Sequence, residues 1–175
     1  MTSEIRGEDG FVTSAGGIVL QTRYVVFDGW KDFNVTSQVV QPLSFLSVNI
    51  TPKSAQSVFK LELSLCYAAS INTANVVFSA TRNGTYIENT QTLSNQTGGI
   101  SPLLTDRQTF TTSVMDMGIY GYIDAPNTNS SVTYTPTIKT YGDLGVAINR
   151  TWQNGDLPDH ETGLSTFIVT ELSGT

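Results

Sequence analysis

The chain has 175 residues, enough for one hydrophobic core, with 39% apolar residues, only 14% charged residues and a net charge of −6. The acidic balance disfavours nucleic acid as a partner, because neutralising phosphates takes clustered Lys and Arg. The wealth of β-branched and aromatic residues excludes a disordered chain, the single Cys66 excludes an intrachain disulfide, and no apolar run reaches the length of a membrane-spanning helix.

The opening MTSEIRGEDGFVTSAGG has no apolar stretch of the secretory type, so it reads as an arm over residues 1–16 ahead of one domain over 17–175, made in the cytoplasm and kept soluble. GGIVLQTRYVVF is the first expected strand. LSFLSVNIT comes next, with Leu46, Val48 and Ile50 on one face. The clearest period of two is SVFKLELSLCY, where Phe59, Leu61, Leu63, Leu65 and Tyr67 alternate with Lys60, Glu62, Ser64 and Cys66. One side of that strand belongs to a core, and Cys66 reads as a small buried hydrophobe.

ANVVFSATR predicts a strand ending at a hairpin, since Asn83-Gly84 supplies the two positive φ angles of a type I′ turn. Residues 89–106 are the longest polar stretch and read as a surface loop. FTTSVMDMGIYGYIDA and SVTYTPTIKTY predict two more strands, and Pro136 places the second at an edge or a bulge because proline cannot donate to a ladder. LGVAINR and GLSTFIVTEL close the series, separated by a second turn signal at Asn154-Gly155. Strands, short connections and no helical repeat give an all-β class with two antiparallel sheets, a sandwich or a jelly roll.

Few residues suggest chemistry. His160 sits among Asp156, Asp159 and Glu161, but the spacing lacks the turn glycine of a calcium loop and reads as an acidic turn. No GxSxG elbow is present to pair with His160. Asp116, Asp124 and Glu88 are candidates for paired carboxylates, weighed against solvated strand and loop acids. Asn-x-Thr and Asn-x-Ser matches at Asn34, Asn49, Asn83, Asn95, Asn129 and Asn149 are explained by abundant Asn, Thr and Ser. The aromatics Trp30, Tyr120, Tyr122 and Trp152 fit a core or a subunit interface better than sugar stacking. No catalytic residue, cofactor or metal ligand is assigned.

The order of segments points further. GGIVLQ, PLSFLSVNITPKSAQSVFKLELSL, FSATRNGTYI, GYIDAPNTNSSVTYTPTIKT and LGVAINRTWQNGDLPDHETGLSTFIVTEL, running from Gly16 to Leu172, resemble a family of small virion proteins of tailed bacteriophages, common in marine and cyanobacterial phages. The resemblance implies a tumour-necrosis-factor-like jelly roll assembled as a homotrimer. It also implies that Ile148, Asn149 and Arg150 end the penultimate strand, that residues 152–162 connect it to the last, and that Arg150 makes an ion pair or carbonyl cap between strands or subunits. Trimer formation would account for strands apolar on both faces, at Val25–Phe27 and Val76–Phe78. The resemblance is compatible with two roles in the virion: a capsid decoration or cement protein bound to the major capsid protein, or a tail-fibre or tail-spike module bound to tail proteins and a host surface glycan. An enzyme cleaving that glycan is the weakest option. Arg150, Trp152, Trp30, Tyr120 and Tyr122 are the expected partner or subunit contacts.

Overall fold

A computed structural model describes residues 5–7, 10–12, 17–70, 75–87, 98–103, 115–152 and 161–174. The strands are β1 (Ile5–Gly7), β2 (Gly10–Val12), β3 (Val19–Phe27), β4 (Lys31–Val35), β5 (Gln41–Pro42), β6 (Val48–Ile50), β7 (Val58–Ala69), β8 (Asn75–Arg82), β9 (Thr85–Tyr86), β10 (Ser101–Leu103), β11 (Asp116–Asp124), β12 (Val132–Tyr141), β13 (Leu144–Ile148) and β14 (Ser165–Leu172). β1 and β2 pair antiparallel as a separate two-stranded sheet. Among the described residues the helical structure is one 3-10 turn, Ser44–Leu46.

The remaining strands form two six-stranded antiparallel sheets. In the first, β7 is the spine: β11 pairs along one edge, while β14 and then β13 pair along the other, followed by β3 and β4. In the second, β12 pairs with β8 on one edge and with β6 and β5 on the other, and β8 carries β9 and β10. The chain passes between the sheets in the order β3, β6, β7, β8–β10, β11, β12, β14, giving β3-β14-β7-β11 facing β6-β12-β8-β10. That interleaving is a jelly roll.

Alternation decides which side chains lie between the sheets. Phe59, Leu61, Leu63, Leu65 and Tyr67 of β7 meet Val76, Phe78 and Ala80 of β8 and Val132, Tyr134 and Ile138 of β12. Each such large side chain contributes about 1.5–3 kcal/mol when fully buried. Two aromatic pairs bridge the layers, Phe59 with Tyr134 at 5.7 Å and Tyr67 edge-on to Phe78 at 5.4 Å. Gly118 of β11 makes room for the Phe78 ring, since a Cβ there would stand 2.6 Å from it.

Three readings of the sequence need correction. Pro136 lies in β12, a central strand, with no register shift against β8. Its carbonyl accepts from Leu43 N–H at 2.8 Å, so its imide nitrogen also faces the side where the chain crosses from β5 to β6, and the missing donor falls in a gap of the ladder. The polar stretch 89–106 contributes a strand, β10, and of its two buried glycines Gly99 lies against β8 while Gly98 O accepts from the Tyr86 hydroxyl of β9. Cys66 is half-buried on the outer side of β7, where its thiol donates to Leu164 O at 3.2 Å. The Asn83-Gly84 turn has φ of 50° and 83°, as expected of the hairpin joining β8 to β9. Asn154-Gly155 lies outside the described residues. β4, β5 and β9 carry too few alternating positions to be read as strands from sequence.

Asn149, just past β13, is buried and adopts a left-handed φ of 61°. Its Nδ2 donates to Phe27 O at 2.6 Å and Gly29 O at 2.8 Å, and its Oδ1 accepts from the Ser165 hydroxyl at 2.6 Å. Its backbone N–H reaches Cys66 O and its carbonyl accepts from Gly163 N–H. Replacing it leaves several buried polar groups unpaired, at about 1–3 kcal/mol each, and a non-glycine residue in a left-handed conformation costs about 1–2 kcal/mol. Asn149→Ala is expected to lower stability by about 3–4 kcal/mol and Asn149→Asp to do likewise, since a carboxylate cannot donate to two carbonyls. Urea denaturation checks this, and a loss below about 1 kcal/mol would show that the junction does not hold the sheet.

Candidate functional site

The outer side of the β7 sheet is built from the positions that alternate with the core. Its antiparallel register aligns Val26, Thr166, Ser64 and Ile119 in one row, Tyr24, Ile168, Glu62 and Gly121 in the next, and Thr22, Thr170, Lys60 and Ile123 in a third. Tyr24 is 69% exposed, Ile119 59% and Ile123 53%, and Val19, Val26 and Met117 are similarly open. At the middle of this face Lys60 Nζ lies 2.7 Å from Glu62 Oε1. Four strands about 4.8 Å apart, running about 23 Å from the Val26 row to the Val19 row, give roughly 450 Å² of sheet plane.

The other half of the same outer side, over β13 and β4, is roofed by the residues after Asn149. Trp152 lies on Gly145, where a Cβ would collide with the indole. Arg150 turns back onto β4: its Nε is 3.1 Å from Asp32 Oδ1, a terminal nitrogen pairs with Oδ2, and its guanidinium carbon stacks 4.0 Å from the centroid of the Trp30 ring. Arg150 also bridges Thr162, tying down both ends of the 152–162 connection. Three of the five aromatic and basic residues singled out in the sequence, Trp30, Arg150 and Trp152, therefore share one surface, and Trp30 is 63% exposed.

Tyr120 and Tyr122 point the opposite way. Tyr120 is 5% exposed and donates to Ser79 O at 3.0 Å; burial, reinforced by Tyr86, pushes its phenol well above the ordinary range. Tyr122 packs against the core. Both serve the intrachain packing that aromatics in β-proteins commonly provide.

The acids resolve into structural roles. Asp124 is buried and receives Arg82 through both oxygens at 2.9 and 3.0 Å and the Tyr134 hydroxyl at 2.6 Å. Burial and then the Asp124 contact drive the Tyr134 phenol strongly upward. Asp116 stands at the far end of β11, eight residues or about 26 Å away, well beyond the roughly 5–9.5 Å that separate a glycosidase pair. Glu88, His160, Asp156 and Asp159 lie outside the described residues, and Glu161 accepts from Met115 N–H at 3.0 Å. No group of three His, Cys, Asp or Glu side chains converges among the described residues.

Glu171, at the end of β14, is 0% exposed. Burial would raise its carboxyl, but hydrogen bonds outweigh that and hold it below the ordinary value; they include the Gln21 amide at 2.5 Å and Lys53 N–H at 2.6 Å.

The alternation MGIYGYI in β11 carries the sequence signal for the bare face, because its isoleucines and tyrosines fall on opposite sides. Both sides are apolar, so the alternation does not by itself say which one faces outward.

No family model matches the chain, and no curated protein does. Among solved structures, it is similar to the T=1 particles derived from infectious bursal virus (13% identity, TM-score 0.49, covering 99% of this chain and 45% of that one). It is also similar to the VP2 subviral particle of infectious bursal disease virus (13%, 0.45, 99% and 46%) and to the Gt strain of that virus (12%, 0.44, 100% and 47%). The chain spans a little under half the length of these proteins.

Arg150→Ala is expected to cost about 1–2 kcal/mol, from a partly buried two-point ion pair and a cation–π contact, and Arg150→Lys to recover little of it because lysine lacks the planar fork. Thermal denaturation of both variants is the check; full recovery by lysine would refute the fork geometry. For Glu171, a carboxyl lower in the folded than in the unfolded chain adds stability that is complete above its unfolded pKa, about 4.3. That stability is lost as pH falls through the folded value. Glu171→Gln is expected to be less stable near neutrality by about 1–3 kcal/mol and to flatten the acid limb below about pH 4, read from urea midpoints against pH.

Proposed function

We propose that the chain is a structural component of a virus particle, a trimeric capsid decoration protein that braces the head by contact with the major capsid protein. The observation that carries this reading is the outer face of β3, β14, β7 and β11, where Tyr24, Val26, Met117, Ile119 and Ile123 stand exposed among uncharged neighbours with no cover from the described residues. An open four-strand sheet face serves association between large surfaces better than capture of a small molecule, which favours concavity. The order of segments from Gly16 to Leu172 supports the virion setting and the three-fold assembly.

A second reading rests on Trp30, whose exposed ring stands beside Asp32 and Arg150. An aromatic surface flanked by hydrogen-bonding charges suits a sugar, as a tail-fibre module bound to a host surface glycan would need.

Quantitative mass spectrometry of purified particles separates these readings. A decoration protein is expected at a copy number comparable with the major capsid protein. A handful of copies per particle would move the chain to the tail, and absence from particles would overturn the virion reading altogether.

A further inference from the structure

The bare face carries one opposite-charged pair at its centre. Lys60 and Glu62 stand two residues apart on β7, side by side on the outer surface, with side chains 46% and 40% exposed and their charges 2.7 Å apart. Around them the outward positions are apolar or uncharged: Tyr24, Val26, Ile119, Gly121, Ile123, Thr166, Ile168 and Thr170 hold no charge.

An exposed ion pair of this kind adds little to the fold by itself. Its meaning changes if the face is covered, because covering takes the pair out of water and leaves to the partner the hydrogen bonds and charge that water supplied beyond the pair's own contact. A purely apolar partner would leave the pair desolvated, and a partner of one sign would satisfy only half of it. A second copy of the same face brings one Lys60 and one Glu62, already at matching spacing. The face is also neutral where the whole chain carries −6, so copies meeting here avoid the repulsion that other surfaces would raise.

We infer that copies of this chain associate through the outer face of β3, β14, β7 and β11, and that Lys60 of one copy pairs with Glu62 of its neighbour, fixing the orientation of the contact. Around a three-fold axis the exchange is cyclic, each copy giving its lysine to the next and its glutamate to the previous one. This rests on the self-association proposed above and deepens it: the apolar rows supply attraction and the charges supply register, as polar groups in otherwise apolar interfaces do.

The test is a charge exchange followed by sedimentation velocity over a concentration series in low and high salt. Lys60→Glu and Glu62→Lys should each weaken association at least about tenfold, because like charges then face one another. The double variant K60E/E62K should restore it. Ile119→Glu, on the same face, should abolish association, and Tyr141→Glu, an exposed aromatic on β12, should leave it unchanged. All these side chains reach solvent, and an unchanged far-ultraviolet circular dichroism spectrum with a cooperative melt excludes unfolding as the cause. Single charge variants that associate like the wild type, or a double variant that fails to recover, overturn the inference. A wild-type chain that is monomeric in solution yet abundant on virions overturns this inference and leaves the virion reading standing. A chain that associates through this face but is missing from virions does the reverse.

Discussion

An uncharged side chain ties four strands of the β7 sheet together at one junction. The Asn149 amide donates to the end of β3 and to the turn into β4 and accepts from the start of β14, while its backbone N–H donates to Cys66 O of β7. The serine it binds, Ser165, in turn accepts from Cys66 N–H at 3.1 Å. An amide suits this position because it donates and accepts at once, and because Asn tolerates the left-handed φ more readily than most residues. The placement of the next residues depends on that turn. With β13 ended at Ile148 and reversed at Asn149, Arg150 falls back on Asp32 and Trp152 on Gly145, so the outward side of β13 is covered by its own continuation. With Leu144, Val146 and Ile148 in the core and Gly145 and Ala147 on the covered side, all five residues of β13 are buried.

Strands apolar on both faces thus find three different solutions in one molecule. β13 is roofed by the residues after it. The outward Val77 of β8 is covered by Gly99, whose backbone approaches so closely that a Cβ would collide with a valine methyl. β3 and β11 have no such cover among the described residues, and Tyr24, Val26, Ile119 and Ile123 face outward. The first two are matters of stability for a single chain. The third is where the chain has apolar surface to offer another molecule, and its edge strand β3 has one described neighbour, β14, so this side is open in two directions.

Much of this architecture is legible in the residues. Period-two alternation locates the core side of β7, the succession of long strands is readable from SVFKLELSLCY and its counterparts, and Asn83-Gly84 names its own turn. The features that escape are set by neighbours in space. Pro136 reads as an edge residue because the ladder rule is local, and only the crossover through Ser44–Leu46 shows that the gap in the ladder is on the proline's own side. Cys66 reads as core because it sits in an apolar run, yet parity places it with Lys60 and Glu62. Arg150 is expected to pair across strands and does so with Asp32, while Asn149 beside it looks like one more abundant asparagine. Tyr120 and Trp30 are similar in composition terms, and only the parity of β11 and the exposure of the β3–β4 turn send one into the core and the other to the surface.

Charge is scarce in this chain, so where it is placed carries weight. Of 24 Asp, Glu, Lys and Arg residues, 15 acidic and 9 basic, several are committed to joints: Arg82 to Asp124, Arg150 to Asp32, and Glu171 to a cage of amide donors. Each of these sits where a neutral group would leave buried partners unsatisfied, so each has a reason inside the fold. Lys60 and Glu62 have none of that kind. They pair with one another on a surface where solvation would serve either alone, in the middle of four strands whose neighbouring outward residues are uncharged. A soluble monomer gains almost nothing from that placement, whereas a surface that must meet copies of itself in one orientation gains a rule for which way round they fit.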